Sequence, residues 1–295
     1  MFNLTKRASL LFFLASIAAI GVPAAAQDDP GLIVYASAAD GVSSINIVDP
    51  SGALVAQASD GSGNDSYPSL SPDGQLIAFA SDRSGNWEMF VANSDGSNAT
   101  QLTFNDYNDI FPAWSPDGTQ IAFASDRDGD YDIYVTDLSG TVSAVTADDS
   151  NEWSPAWSPD GSQIAFTTDR DIDSEIYVID VGGSEAHNVT NYPKGDDAYP
   201  AWSPDGSQIA FSSNRTGTSQ IYVFDVFSQG EALQLTDDRV DSQYPTWNAD
   251  GTQIAYMTGS DPDTAIAVMN ADGGGAQLLT SGGDSFPAWW WAQGR

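Results

Sequence analysis

The chain has 295 residues, no cysteine, and 41 Asp and Glu against 9 Lys and Arg, for a formal net charge of −32. The lack of thiols excludes disulfides, cysteine nucleophiles, thiolate zinc sites and a lipid-modified N-terminal cysteine. The charge disfavours nucleic acid and anionic membranes as partners, and it favours basic peptides, cationic protein patches and divalent metals. Of the acids, 36 are Asp and only 5 are Glu. Because Asp closes turns whereas Glu suits helix surfaces, this ratio predicts many tight turns and little helix.

The N-terminal residues predict a secretory signal peptide. Two basic residues precede an apolar run at residues 8–22, and small residues follow at 23–26. This order is typical of a signal peptide that is cleaved after Ala26, and the run is shorter than the roughly 20 residues that span a bilayer. We therefore expect a signal peptide at 1–26 and a mature domain at 27–295. The mature protein is predicted to be periplasmic or secreted, with no membrane insertion after cleavage.

A 13-residue motif recurs along the rest of the chain. Its clearest copy, at residues 199–211, reads Tyr-Pro-Ala-Trp-Ser-Pro-Asp-Gly-Ser-Gln-Ile-Ala-Phe. Successive copies of its first proline are 44, 43, 45, 45 and 42 residues apart, at Pro68, Pro112, Pro155, Pro200, Pro245 and Pro287. A fixed period in the forties is typical of a repeat architecture.

Each repeat contains four short apolar runs, which predict a four-stranded antiparallel meander. In the third repeat these runs begin at Pro112, Gln120, Asp132 and Thr141. Each is rich in β-branched and aromatic residues and is bounded by Gly, Pro, Asp or Ser. Residues 115–118, Ser-Pro-Asp-Gly, predict a turn in which Pro presets φ and Gly accepts a positive φ. The alternation of Ile and Phe with Ala predicts large-against-small packing between stacked sheets.

Six such units predict an all-β fold, a six-bladed β-propeller of four-stranded blades. The chain starts at a second strand, around Ile33, and ends with an unattached first strand at residues 286–290. The C-terminal strand is therefore predicted to complete the first blade and close the ring, so that no sheet edge remains exposed.

The repeated Pro-Ala-Trp-Ser-Pro-Asp-Gly, with its Ile-Ala-Phe and Ser-Asp-Arg segments, resembles the PD40, or WD40-like, repeat of the TolB-type propellers. The resemblance covers essentially all of residues 27–295. It implies an exported protein-binding platform, and it implies calcium at the channel mouth in some members. TolB also carries an α/β domain before its propeller, and no such domain fits between Gln27 and Gly31. The resemblance therefore implies a propeller-only relative.

A basic slot follows the second strand in four repeats, as Asp82-Arg83, Asp126-Arg127, Asp169-Arg170 and Asn214-Arg215. These arginines could be anion ligands. The preferred interpretation is structural, with guanidinium groups that pair with carboxylates between adjacent blades, because the planar fork of Arg fixes such pairs geometrically.

Acidic residues recur three positions before the repeat proline, at Asp65, Asp109, Glu152, Asp197 and Asp284. Because these loops share one face and the innermost strands line the channel, the carboxylates are predicted to form a ring around one channel mouth. Oxygen-only ligands suit calcium, so the ring is a candidate metal site. The alternative is that each acid caps its own loop. Neighbouring loop acids are predicted to bind the partner, namely Asp106, Asp148, Asp149, Asp196, Asp237, Asp238 and Asp241.

The acidic segment 126–132, Asp-Arg-Asp-Gly-Asp-Tyr-Asp, superficially resembles a calcium loop. It fails the EF-hand pattern because its glycine is fourth instead of sixth and no bidentate Glu occupies the twelfth place. A hairpin turn is therefore the preferred interpretation. The aromatic residues that flank the repeat proline recur in register, which favours core packing for them.

Catalysis finds little support in the sequence. There is one histidine, His187, and no Gly-x-Ser-x-Gly elbow for a catalytic triad. We therefore predict a non-enzymatic monomer that binds a protein or peptide with a basic patch through its acidic loop face, with calcium as a subsidiary expectation. The alternative is a carbohydrate-active or other catalytic propeller, glycosidase- or lyase-like, because its many carboxylates could include a catalytic pair.

Overall fold

The structure, a computed structural model, describes residues 31–38, 41–59, 61–192, 194–228, 230–237 and 239–290. The predicted signal peptide at 1–26 lies outside these residues. Every regular element in the described part of the chain is a β-strand, which confirms the all-β prediction. Within the same part, no helix is long and apolar enough to cross a membrane.

The strands follow the predicted repeat. The first two groups are β1 (Leu32–Ser37), β2 (Ser44–Val48), β3 (Leu54–Gln57), β4 (Asp65–Leu70), β5 (Leu76–Ser81), β6 (Glu88–Asn93) and β7 (Thr100–Gln101). The middle groups are β8 (Asp109–Trp114), β9 (Gln120–Ser125), β10 (Asp132–Asp137), β11 (Val142–Ala144), β12 (Glu152–Trp157), β13 (Gln163–Thr168), β14 (Glu175–Asp180) and β15 (Ala186–Asn188). The last groups are β16 (Asp197–Trp202), β17 (Gln208–Ser213), β18 (Gln220–Asp225), β19 (Leu233–Gln234), β20 (Ser242–Trp247), β21 (Gln253–Thr258), β22 (Ala265–Asn270), β23 (Gln277–Leu278) and β24 (Asp284–Trp290).

These strands form six four-stranded sheets, and the ring closes as predicted. Five blades are continuous, from β4–β7 as blade 2 to β20–β23 as blade 6. Blade 1 has the order β24-β1-β2-β3, so the last strand pairs with the first one. The pairing of β24 with β1 is antiparallel and runs from Leu32 opposite Trp290 to Ser37 opposite Asp284. Both ends of the described chain are therefore held in one sheet.

The core lies between the blades, where large side chains of one sheet pack on small ones of the next. Phe123 and Ile121 of blade 3 pack against Ala78 of blade 2. At the seam where the ring closes, Ile33 of blade 1 packs in one cluster with Ala255 of blade 6. Full burial of each such Ile or Phe contributes roughly 1.5–3 kcal/mol relative to exposure.

Trp114, Trp157 and Trp247 of the repeated tryptophans each bind the preceding blade through the indole N–H group. The Trp114 Nε1–H group donates to the carbonyl oxygen of Ser69 at 3.2 Å. Trp157 donates in the same way to Ala113 at 3.1 Å. A satisfied indole N–H lets a large aromatic side chain pack at an interface without an unpaired polar atom. The prediction of core packing is confirmed for these residues.

The predicted Ser-Pro-Asp-Gly turn forms as expected after the innermost strand. The Gly118 N–H group donates to the Ser115 carbonyl at 2.9 Å, and Gly118 adopts a φ of +69°. Asp117 Oδ1 accepts from the Ser115 hydroxyl at 2.7 Å and from the Thr119 N–H group at 3.0 Å. These bonds lower the pKa of Asp117 below its usual value. Repeated turns of this kind account for part of the Asp excess.

Candidate functional site

One end of the ring carries most of the predicted functional residues. Because neighbouring strands are antiparallel, the loops that lead into the innermost strands share one end of the ring with the loops that join second to third strands. We call this end the lead-in face. Its lead-in loops include residues 102–108, 145–151, 189–192, 194–196, 235–237 and 239–241.

The five carboxylates of the predicted ring are not in the loops. Each is the first residue of an innermost strand, and all five residues are buried, with 0–4 % of their surface exposed. Four of them form ion pairs with the repeated arginines, in Arg83–Asp65 (2.9 Å), Arg127–Asp109 (3.0 Å), Arg170–Glu152 (3.0 Å) and Arg215–Asp197 (2.7 Å). The structural interpretation of these arginines is therefore supported.

The prediction that these pairs join adjacent blades was wrong. Asp109 lies opposite Ser125 in the hairpin of β8 and β9, so Arg127, two residues further on, remains in the same blade. Its Cζ atom lies 4.4 Å from the centroid of the Tyr134 ring, also within that blade. Stacking on an aromatic face and a carboxylate at its tip hold the guanidinium group in place.

A second contact accompanies each ion pair. The Asn108 N–H group and its Nδ2 donate to the two carboxylate oxygens of Asp126 at 2.7 and 2.9 Å. The same contact joins Asn64 to Asp82 and Asn151 to Asp169. We call the ion pair together with this contact the clamp, and it occurs in blades 2–5. In blade 5 the second contact is exchanged, because Asp196 precedes the innermost strand and Asn214 follows the second one.

The clamp bears directly on the calcium prediction. A shared cation needs free carboxylate oxygens that converge, whereas each clamp carboxylate is buried and already bound by its own arginine. Asp284 of blade 1 differs, because no basic side chain within the described part of the chain lies within 4.0 Å of it. The five residues therefore do not fit one calcium ion at the channel mouth, and we assign no role to calcium there.

The channel itself is filled by aromatic side chains. Rings of the residues that precede the repeat prolines meet across the axis, with centroids 4.1 Å apart for Tyr67 and Phe111 and 3.9 Å apart for Tyr199 and Tyr244. Phe286 joins both groups, and Ser154 holds the sixth position. Burial raises the pKa of Tyr67 to about 12, which keeps its hydroxyl protonated.

A strained backbone produces this plug. All six residues before the repeat proline have positive φ values, at Tyr67 (52°), Phe111 (55°), Ser154 (53°), Tyr199 (59°), Tyr244 (54°) and Phe286 (53°). Each innermost strand also shifts register at this place, as between Ser66 and Ser69 in β4. Such a conformation costs a residue with a side chain roughly 1–2 kcal/mol. Core packing was thus the wrong prediction for these aromatics, which close the channel.

The predicted partner-binding acids are mostly exposed. Asp106, Asp148, Asp149, Asp196 and Asp237 are exposed, Asp241 is half-buried, and Asp238 lies outside the described residues. Three of them have structural partners. Asp148 pairs with Arg170 at 2.9 Å, Asp196 bonds to Asn214, and Asp241 accepts from the Ser219 N–H group at 2.9 Å. In the described part of the chain, no basic side chain lies within 4.0 Å of the remaining ones, Asp106, Asp149 and Asp237.

Exposed apolar side chains also lie on this face, and the repeat pattern did not predict them. Phe104 and Tyr107 lie in the lead-in loop of blade 3 and are 77 % and 46 % exposed. Ile172, in the loop between β13 and β14, is fully exposed. These residues lie outside the repeated aromatic positions. That departure from the repeat is the sequence feature that could have identified them. Two basic residues, Lys194 and Arg239, are also exposed here, so the charge of the face is not uniform.

A closed ring of six four-stranded blades with a plugged channel defines a six-bladed β-propeller. Residues 110–290 match the PD40 family, described as the TolB beta propeller domain, and the chain belongs to this family. No curated protein matches the sequence.

Solved structures show the same fold. TolB from Acinetobacter baumannii is 24 % identical with a TM-score of 0.77, over 89 % of this chain and 67 % of that one. A putative TolB from Agrobacterium tumefaciens is 22 % identical with a TM-score of 0.70, over 86 % of this chain and 90 % of that one. An oligogalacturonate lyase from Vibrio parahaemolyticus is 14 % identical with a TM-score of 0.53, over 85 % of this chain and 72 % of that one. At these identities the likeness concerns the fold alone.

Proposed function

We propose that this protein is an exported, monomeric scaffold of the periplasm that binds a basic protein or peptide through its lead-in face and catalyses no reaction. One observation carries the proposal. Asp106, Asp149 and Asp237 are exposed, and no basic side chain in the described chain lies within 4.0 Å of them, while Phe104 and Tyr107 are exposed beside the first of them.

The chemistry of this face suits a cationic segment with apolar side chains. Unpaired carboxylates attract positive charge and orient an approaching partner, whereas aromatic side chains supply most of the contact energy at an interface. The acids come from the lead-in loops of three different blades, and two of these blades, which present Asp106 and Asp149, carry the clamp. A rigid scaffold that presents loops is a common arrangement for binding.

The test compares two charge-matched variants in a crosslinked pull-down from the native envelope. Asp106→Asn with Asp149→Asn removes two charges from the lead-in face. Glu185→Gln with Glu231→Gln removes two exposed charges from the opposite end of the ring. We expect the first pair to lose the captured partner at least tenfold and the second pair to retain it. Equal capture by both variants would contradict the assignment of this face.

The catalytic alternative needs its own experiment. The purified protein should show no turnover on polysaccharides or glycosides, with or without added calcium. Turnover that disappears when a lead-in carboxylate is changed to its amide would overturn the binding-only proposal. Mature protein that begins at Gln27 in the periplasmic fraction would support export.

A further inference from the structure

The hairpin between β9 and β10 gathers three carboxylates on the lead-in face. One oxygen from each of Asp128, Asp130 and Asp132 lies within 4.8 Å of the other two. The segment is a hairpin, as the sequence indicated, with Gly129 at a φ of +129°. We propose that these three carboxylates bind a calcium ion. This site lies in a hairpin that the predicted ring did not include, and it does not rest on the proposed partner binding.

A buried oxygen without a partner points to a ligand in this cluster. Asp132 is the first residue of β10 and is only 1 % exposed. Its Oδ1 atom is buried and has no hydrogen-bond partner among the residues that the structure describes. An unsatisfied buried carboxylate oxygen is costly, and burying a charge without compensation costs more still. A cation held between Asp132 and its two neighbours would remove that cost.

A comparison with the neighbouring blades explains why Asp132 Oδ1 has no hydrogen-bond donor. In blade 2 the equivalent residue is Glu88, whose oxygens accept from the Thr103 hydroxyl at 2.5 Å and the Asn105 N–H group at 2.7 Å. In blade 4 it is Glu175, which accepts from the Thr190 hydroxyl and from the Tyr192 N–H group. Asp132 is one methylene shorter than these glutamates. The shorter side chain leaves Oδ1 without the donor that the glutamates reach.

The charge around the cluster is uncompensated. Among the residues that the structure describes, no Lys, Arg or His lies within 4.0 Å of these three carboxylates. Arg127, next to Asp128 in the chain, is bound to Asp109. The neutral Tyr134 hydroxyl donates to Asp128 Oδ2 at 3.0 Å.

The type of ligand favours calcium over magnesium. Ca²⁺ accepts many oxygen ligands in a flexible geometry, whereas Mg²⁺ demands near-ideal octahedral geometry and retains several of its waters. Three carboxylates gathered by one short hairpin therefore suit calcium better. Asp128 is exposed and Asp130 is half-buried, so water can supply the remaining ligands. Hard oxygen ligands without His or Cys also exclude a preference for zinc or copper.

The test is a titration of the purified, chelator-treated protein with CaCl2, followed by calorimetry and by thermal unfolding. We expect binding heat and a rise in Tm of about 3 °C or more at ten times the dissociation constant. Asp128→Asn with Asp130→Asn should abolish both. Asp171→Asn with Asp173→Asn is the matched control, because it removes the equivalent acids of blade 4, which form no such cluster.

Several results would overturn the site. One is the absence of heat and of a Tm shift in the unaltered protein up to about 10 mM calcium, roughly ten times the dissociation constant of the weakest protein calcium sites. Another is undiminished binding by the Asp128 and Asp130 variant. An equal response to MgCl2 would overturn the choice of calcium. Asp132→Asn serves as a second variant, since it should stabilise the calcium-free protein and remove the calcium response.

Discussion

Blades 2–5 differ from the two blades at the seam, blades 1 and 6, in how the start of the innermost strand is stabilised. In blades 2–5 the innermost strand begins with a buried acid that its own arginine neutralises, as in Asp109 and Arg127. In blade 6 the two positions are Ser242 and Ser260, and in blade 1 the acid Asp284 remains without a basic neighbour in the described chain. The clamp is therefore not required to form a blade.

What holds the seam is apolar contact and strand pairing. Ile33, Val48 and Trp289 of blade 1 pack with Met257 and Val268 of blade 6. The pairing of β24 with β1 ties the chain ends together. Non-directional packing tolerates changes that a buried charge does not, because a buried charge that loses its partner stays unsolvated. The comparison thus predicts that substitutions at the clamp destabilise the fold far more than substitutions at the equivalent seam positions.

The largest loss of stability is expected for Arg127→Met. The change leaves Asp109 buried without its cation, and breaking a buried ion pair in this way costs about 3–5 kcal/mol of unfolding free energy. Denaturant unfolding measures the loss. The control is Ser260→Ala at the equivalent, exposed position of blade 6, which should change stability by less than about 0.5 kcal/mol. If Arg127→Met lay within about 1 kcal/mol of the unaltered protein, the clamp would be a surface ion pair in energetic terms.

A second prediction concerns the pH dependence of stability, to which the acids at the start of the third strands contribute. Burial raises the pKa of Glu175 from 4.5 to about 7, against the smaller lowering by its hydrogen bond from Thr190. Because the folded-state pKa is the higher one, the folded protein binds the proton more tightly. This contribution to stability is present below pH 4.5 and is lost as the pH rises through about 7.

Glu175→Gln isolates that contribution. Between pH 4.5 and 7 the unaltered protein should lose at most about 1.4 kcal/mol per pH unit through this group, and the variant should lose less. Blade 5 carries Gln220 at the equivalent position, so the fold accepts the amide. Parallel stability curves for the two proteins over this pH range would show that Glu175 does not titrate with a raised pKa.

The repeat made the fold predictable, whereas the site depended on features that a repeat does not show. The same residue types recur at the same positions of each repeat, and this recurrence predicts the four strands of a blade. The additional first strand that begins near Phe286 predicts how the ring closes. The partner of Arg127 was also accessible from the sequence, because hairpin register places it beside Asp109. The positive φ of Tyr67 was not, since a residue before proline gives no sign of that conformation. Likewise, the unpaired oxygen of Asp132 depends on one methylene and its distance to a donor.

The smallest change in stability is expected from the contact between Asp196 and Asn214 in blade 5, where Asp and Asn are exchanged relative to blades 2–4. Asn214→Asp alone places two carboxylates together, Asp196 and the new one, and should cost about 1–2 kcal/mol. Adding Asp196→Asn recreates the arrangement of Asn108 with Asp126 in blade 3, where the backbone N–H group donates in the same direction and the side-chain bond runs in the opposite one. The double variant should therefore recover to within about 0.5 kcal/mol of the unaltered protein in a double-mutant cycle. Additive losses would show that the two positions do not interact, and the clamp would then reduce to its ion pair.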